Sequence, residues 1–133
     1  MEIGPFSIIG KNVVLGKGNV IESSVIITGW TTIGENNRFF KGAVIGEWPQ
    51  DIKYNGEPSY TEIGSGNVFR EFVTVHRGAE PGTHTIIGDN NLLMAYVHIA
   101  HNCKLGSENT IANYVGFAGH VVVEDMVTFG GLC

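Results

Sequence analysis

The chain has 133 residues, the size of one domain rather than two. Glycine supplies 19 of them and charged residues only 16%, while 43% are hydrophobic, enough to bury a core and exclude a disordered segment. The net charge of −5 excludes a strongly basic nucleic-acid binder, so no nucleic-acid partner is expected. Isoleucine and valine together number 28 against 5 leucines, a β-branched bias that excludes a helical bundle. The two cysteines, Cys103 and Cys133, form no CxxC pair and no disulfide framework, which fits a reducing, cytoplasmic setting. No apolar run reaches the length of a membrane span. The start, Met-Glu-Ile-Gly, lacks the basic and apolar regions of a secretion signal.

Taken in chain order, the sequence falls into sixes. The first column reads Ile3, Ile9, Leu15, Ile21, Ile27, Ile33, Phe39 and Ile45. The register breaks after Trp48, returns at Ile63, Phe69 and Val75, breaks again near Gly78, and returns at Ile87. From there it continues through Leu93, Ile99, Leu105, Ile111, Phe117, Val123 and Phe129. Glycine often follows the first column, as at Gly4, Gly16, Gly34, Gly64 and Gly88, and the fifth column is mostly small or β-branched, as at Val25, Ala43, Val73, Val97 and Cys103. Six matches neither the helical period nor one long alternating strand. It suits short strands joined by tight corners, with the first column plugging the interior and glycine or asparagine turning the corner.

A longer period overlies the first. Leu15-Gly-Lys-Gly-Asn19, Ile33-Gly-Glu-Asn-Asn37, Ile87-Gly-Asp-Asn-Asn91 and Leu105-Gly-Ser-Glu-Asn109 resemble one another at multiples of 18, allowing for the breaks. Three sixes therefore make one turn of a triangular solenoid, with residues 18 apart separated by one strand spacing of about 4.8 Å. The expected fold is all-β, a parallel β-helix of about six turns spanning 1–133 as a single domain, with insertions at 49–62 and 78–86.

Both insertions leave the same edge of the prism, from the sixes opening at Ile45 and Val75, and are expected to lie side by side. Loops gathered on a rigid scaffold commonly carry function. Four of the five histidines fall on that edge. His76 is second in its six, His101 third in the next turn and His120 fourth in the turn after, while His98 is placed as the last residue before the corner. Thr74 and Gly116 stack on His98, and Ala100, Ala118 and Gly119 surround the others, which leaves room for a ligand. A single corner histidine is ordinarily a hydrogen-bonding surface residue; four on one edge beside two insertions favour a site. Zinc is the sharpest rival reading, since His98-x-x-His101 is a tempting spacing, but no Cys or carboxylate completes a ligand set.

The period resembles that of the hexapeptide-repeat proteins, and this resemblance implies a left-handed coil, although parallel crossovers in general favour the right hand. It also implies a homotrimer with sites between subunits. Four segments narrow the resemblance: Asn90-Asn-Leu-Leu-Met-Ala-Tyr-Val-His98-Ile-Ala-His101-Asn-Cys103, Phe117-Ala-Gly119-His120, Val73-Thr-Val-His76-Arg-Gly78, and Ile45-Gly-Glu-Trp-Pro-Gln50-Asp51-Ile-Lys53-Tyr-Asn-Gly-Glu57-Pro58. Together they resemble the UDP-N-acetylglucosamine O-acyltransferase family, which opens lipid A assembly. The family moves an (R)-3-hydroxyacyl group from acyl carrier protein to the 3-hydroxyl of UDP-N-acetylglucosamine, without cofactor or metal.

The resemblance makes His101 the general base, a role that suits a histidine at neutral pH and contributes about 10²- to 10⁴-fold. It makes the Gly119 N–H the oxyanion donor. Asp51, Lys53, His98 and His120 would position the sugar and diphosphate, Gln50 would join them, and His76 would line the substrate's edge. Arg77, with Lys41 and Arg70, is expected to receive the acidic carrier. Many family members have Asp after the catalytic histidine; here it is Asn102, whose amide can accept the ring N–H but brings no charge. The chain stops in mid-repeat at Gly130-Gly131-Leu132-Cys133, roughly half the family's usual length. The family's helical C-terminal domain is therefore expected to be absent. Three alternatives stand beside the O-acyltransferase: the sister N-acyltransferase, a truncated solenoid that binds without catalysis, and a zinc hydratase of the gamma-class carbonic anhydrase type.

Overall fold

The six-residue period resolves into 19 short parallel strands and no helix, in a computed structural model that describes all 133 residues. They stack into three sheets that form the faces of a prism. Sheet I holds Glu2–Ile3, Val20–Ile21, Arg38–Phe39, Val68–Phe69, Leu92–Leu93, Thr110–Ile111 and Thr128–Phe129. Sheet II holds Ile8–Ile9, Ile26–Ile27, Val44–Glu47, Thr74–His76, His98–Ile99 and Gly116–Phe117. Sheet III holds Val14–Leu15, Trp30–Ile33, Tyr60–Ile63, His84–Ile87, Lys104–Leu105 and Val122–Val123. Ile3 pairs with Ile21, Ile33 with Ile63 and Ile63 with Ile87, so the 18-residue turn and both longer returns have the expected register.

Each strand consists mainly of the last and first columns of the six. The first column points inward and forms one continuous core with the fifth: Ile27, Ile45, Val75 and Ile99 beside Val25, Ala43, Val73 and Val97, all essentially unexposed. Phe39 and Phe69 stack within it at 4.8 Å between ring centroids, only 4° from parallel. Sequence reasoning placed His98 just before a corner, and here a correction is needed. His98 shares a strand with Ile99 and pairs with Thr74 and Gly116 inside sheet II. The corner comes two residues later, at His101 and Asn102.

The second-column glycines also have a different reason from the one inferred. Apart from Gly46, whose φ is 80°, their backbones are not left-handed, and Gly16, Gly34, Gly64 and Gly88 sit where the next rung stacks directly on top. A Cβ on Gly34 would lie 2.8 Å from the Gly64 carbonyl oxygen, and one on Gly88 would lie 2.7 Å from that of Gly106. The corner is turned instead at the fourth column, where twelve non-glycine residues, among them Asn36, Asn90, Tyr96, Asn102 and His120, have φ between 56° and 65°. Each such residue costs roughly 1–2 kcal/mol in isolation. Stacked copies offset the cost: Phe72, Tyr96 and Tyr114 form a ladder at 5.2 and 4.9 Å.

At the corner between sheets III and I a buried asparagine recurs on successive rungs: Asn19, Asn37, Asn67, Asn91 and Asn109. The Asn67 Nδ2 donates to Asn37 Oδ1 at 3.0 Å and to the Gly88 carbonyl at 2.8 Å, and its Oδ1 accepts from the Asn91 backbone and side-chain N–H groups. The interior polar groups are thereby satisfied by their own repeats. Both interruptions leave the opposite corner, between sheets II and III, as loops 48–59 and 77–83. They bond to each other: the Gly82 N–H donates to the Pro58 carbonyl at 2.9 Å, and the Ser59 hydroxyl to that of Gly78 at 2.6 Å.

Candidate active site

Sheet II and its corner to sheet III gather the histidines. A groove of about 340 Å³ is lined by Gln50 from the first loop, His76, His98, Ala100, His101, Gly116, Phe117, Ala118 and Gly119. Its floor is built of small residues because Gly116, Ala118 and Ala100 occupy the outward positions there. Two other depressions exist, of about 470 Å³ beside Phe72 and Tyr96 and about 410 Å³ beside His84 and Lys104. The first is lined mostly by apolar residues and the second holds His84 and His120, but the three-histidine cluster lines neither.

His101 has a defined orientation. Its Nδ1 lies 3.0 Å from Asn102 Oδ1, and that same oxygen accepts the Ala79 N–H from the second loop at 2.9 Å. The Asn102 N–H in turn donates to Thr85 Oγ1 at 2.9 Å. With Oδ1 already an acceptor for the Ala79 N–H, the ring nitrogen facing it is the protonated one, and the lone pair is left on Nε2. Gly119 touches the ring: a Cβ there would fall 2.5 Å from Nε2. The Gly119 N–H, outside any strand, has no acceptor within the chain. Glycine is needed here to make room for the imidazole as well as for anything bound against it.

The other histidines surround this one. His98 Nδ1 is 2.7 Å from Thr74 Oγ1, and burial, then the neighbouring His101, lower its pKa. His76 is buried and packs edge-on against His98 at 4.7 Å, with Nδ1 unpartnered. Burial, with His98, His101 and Arg77 nearby, pushes its pKa down to about 4. Both rings are thus held neutral near pH 7. His120 meets His101 edge-on at 5.2 Å, but it is largely exposed, lies 3.8 Å from Glu80 and faces the neighbouring depression with His84. Among the loop residues only Gln50 reaches the groove wall. The Asp51 carboxylate instead accepts the Lys53 N–H at 2.9 Å and shapes the loop, and the Lys53 side chain stands in solvent.

Two expectations need correcting or completing. Arg77 is not a surface base awaiting a carrier; it is buried beneath Trp30 and Tyr54. Lys41 and Arg70 do lie on the surface, paired there with Glu22 at 2.7 Å and Glu71 at 3.0 Å. Sequence reasoning did not find the Ala79 N–H, whose identity as a donor to Asn102 no side-chain pattern could signal. For the zinc reading, no three His, Cys, Asp or Glu side chains converge as a ligand set. The rings meet edge to face in pairs rather than aiming nitrogens at one point. Cys103 is buried, as expected of a small interior residue, and its thiol donates to the Ala118 carbonyl at 3.1 Å.

These features define a class. Residues 84–119 match the bacterial transferase hexapeptide (six repeats) family model, and the chain folds as the left-handed parallel β-helix of the hexapeptide-repeat structures it resembles. It is similar to an acyl-[acyl-carrier-protein]–UDP-N-acetylglucosamine O-acyltransferase of Thermodesulfovibrio yellowstonii, 52% identical over 92% of this chain and 48% of that protein. The protein of the same name from Synechocystis is 51% identical over 81% of this chain and 39% of its own length. The Moraxella catarrhalis UDP-N-acetylglucosamine O-acyltransferase structure superposes with a TM-score of 0.92 at 47% identity, covering 98% of this chain and 51% of that one. The chain spans about half the length of the curated relatives it matches.

Proposed function

We propose that this chain carries the acyl-transfer site of a UDP-N-acetylglucosamine O-acyltransferase, moving an (R)-3-hydroxyacyl group from acyl carrier protein to the sugar 3-hydroxyl in the first step of lipid A assembly. The observation that carries this reading is the His101 ring, oriented by Asn102 with its Nε2 in the groove and the unpartnered Gly119 N–H beside it. Nε2 takes the hydroxyl proton as the sugar oxygen attacks the thioester carbonyl. The Gly119 N–H donates to the developing oxyanion. The intermediate then collapses, the carbon–sulfur bond breaks, and the imidazolium returns its proton to the leaving thiolate. The products are the sugar ester and the free carrier thiol.

In this reading the neutral His76 and His98 and the Gln50 side chain contact the sugar. Asp51 holds the loop conformation, and Lys53 and His120 meet the substrate from outside the groove. The resemblance supports a homotrimer in the cytoplasm whose subunits close the open side of the groove. No helix is long and apolar enough to cross a membrane. The test is turnover of the purified chain with UDP-N-acetylglucosamine and a panel of 3-hydroxyacyl carriers, against the 3-O-acylated 2-amino sugar as the competing acceptor. Ester formation on the 3-hydroxyl supports the reading. Amide formation assigns the chain to the sister N-acyltransferase, and binding without turnover makes it a non-catalytic module.

A further inference from the structure

Arg77 is a cation enclosed without a carboxylate. The residue is 8% exposed, forms no ion pair and no side-chain hydrogen bond, and its Nε is shielded from solvent with no acceptor. A buried charge in that state needs some other source of stabilisation. Its neighbours are aromatic faces. The guanidinium carbon lies 5.4 Å from the Trp30 ring centroid and 5.9 Å from that of Tyr54. Trp30 belongs to a strand of sheet III, whereas Tyr54 belongs to the loop 48–59. Tyr54 packs edge-on against Trp48 at 4.9 Å, and its hydroxyl donates to the Glu57 carbonyl at 2.6 Å. Room for the guanidinium comes from Gly29, where a Cβ would sit 3.0 Å from Cζ.

We propose that Arg77 is a positioning residue, a cation–π staple that fixes the first loop to the solenoid wall and so holds Gln50 against the histidine groove. The guanidinium suits this task because it is planar and weakly hydrated, and it can lie over rings from two separate elements. Its place in the chain gives it leverage. It follows His76 directly, and its own N–H donates to the Glu47 carbonyl at 3.1 Å, where the loop departs. The guanidinium does not line the groove, so it acts on a substrate only through the loop. The effect on turnover rests on the acyl-transfer reading; the fixing of the loop does not.

The test compares Arg77→Met, which keeps length and loses the cation, with Arg77→Lys, which keeps charge and loses planarity, and with Trp30→Leu, which removes the stack from the other side. Lys53 stands exposed in the middle of the loop, so tryptic cleavage after it reports loop release. Both tryptophans of the chain, Trp30 and Trp48, lie in the cluster, so near-ultraviolet dichroism and emission report its integrity. Arg77→Met and Trp30→Leu are expected to speed cleavage at Lys53 by about tenfold or more, the loss of one desolvated cation–π contact, with red-shifted emission. Arg77→Lys is expected to fall between them and the parent. Amide exchange at Ile99 and Ile111 should stay protected in all three, and the apparent KM for the sugar nucleotide should rise more than kcat falls. Unchanged cleavage and spectra, or loss of strand protection together with the loop, would overturn the proposal. If the parent chain proves inactive, the cleavage and spectra still decide the staple.

Discussion

Two corners of the same prism receive the chain at every turn, yet they are built on opposite rules. At the asparagine corner each rung repeats its predecessor, and every amide from Asn37 to Asn91 bonds to its copies above and below. Nothing remains there for a ligand. At the histidine corner the repeat is interrupted twice and successive rungs differ. The groups left over are His101 Nε2, the Gly119 N–H and the buried Nδ1 of His76. Periodicity satisfies polar atoms, and its interruption frees them. The ladder ends where Val127 stands in place of the next asparagine: only its backbone N–H donates to Asn109 Oδ1, and Asn109 Nδ2 has no acceptor.

The contrast can be broken at either corner. His101→Ala removes the ring that lies against Gly119, and acyl transfer should fall about 10²- to 10⁴-fold with unchanged far-ultraviolet dichroism. Gly119→Ala drives a methyl into the His101 ring, and kcat should drop about 10²-fold, the scale of a displaced oxyanion donor, while the thermal midpoint moves little. At the other corner Asn67→Ala removes the side-chain donor to the Asn37 oxygen and the Gly88 carbonyl, and the acceptor shared by the Asn91 backbone and side-chain N–H groups. Urea unfolding should report a loss of about 2–3 kcal/mol with activity intact while the chain stays folded.

A further effect is in pH. His76 is held at about 4 in the folded chain against 6.5 as the reference value. Between those values the unfolded chain binds a proton that the folded one refuses, so stability falls as pH drops through that window and is fully present above it. The urea midpoint should therefore decline from pH 6.5 toward 4, and His76→Gln should flatten the decline.

The repeat was legible because the interior accepts only aliphatic or phenylalanine plugs every sixth residue, and the histidine edge followed from counting. Corner chemistry was less so. Left-handed positions are filled by Tyr96, Glu108 and His120 as readily as by asparagine, because stacking between rungs outweighs the intrinsic preference. His98 was misplaced by taking the first column as the start of a strand when the strand begins one residue earlier. Arg77 was misjudged because arginine is ordinarily exposed, and the aromatic rings that enclose it come from positions 47 residues before and 23 before it in the chain. The resemblance in sequence pointed to candidate residues; the structure adds the Ala79 and Asn102 bonds that orient the His101 ring.

The most direct measurement follows the imidazole nitrogens of ¹⁵N-histidine-labelled protein as UDP-N-acetylglucosamine is added at neutral pH. The account predicts His101 as the Nδ1–H tautomer before addition, with the resonances of His76, His98 and His101 moving together and that of His84 staying in place. A His101 protonated on Nε2, or a titration that moves His84 and leaves the other three unchanged, would contradict it.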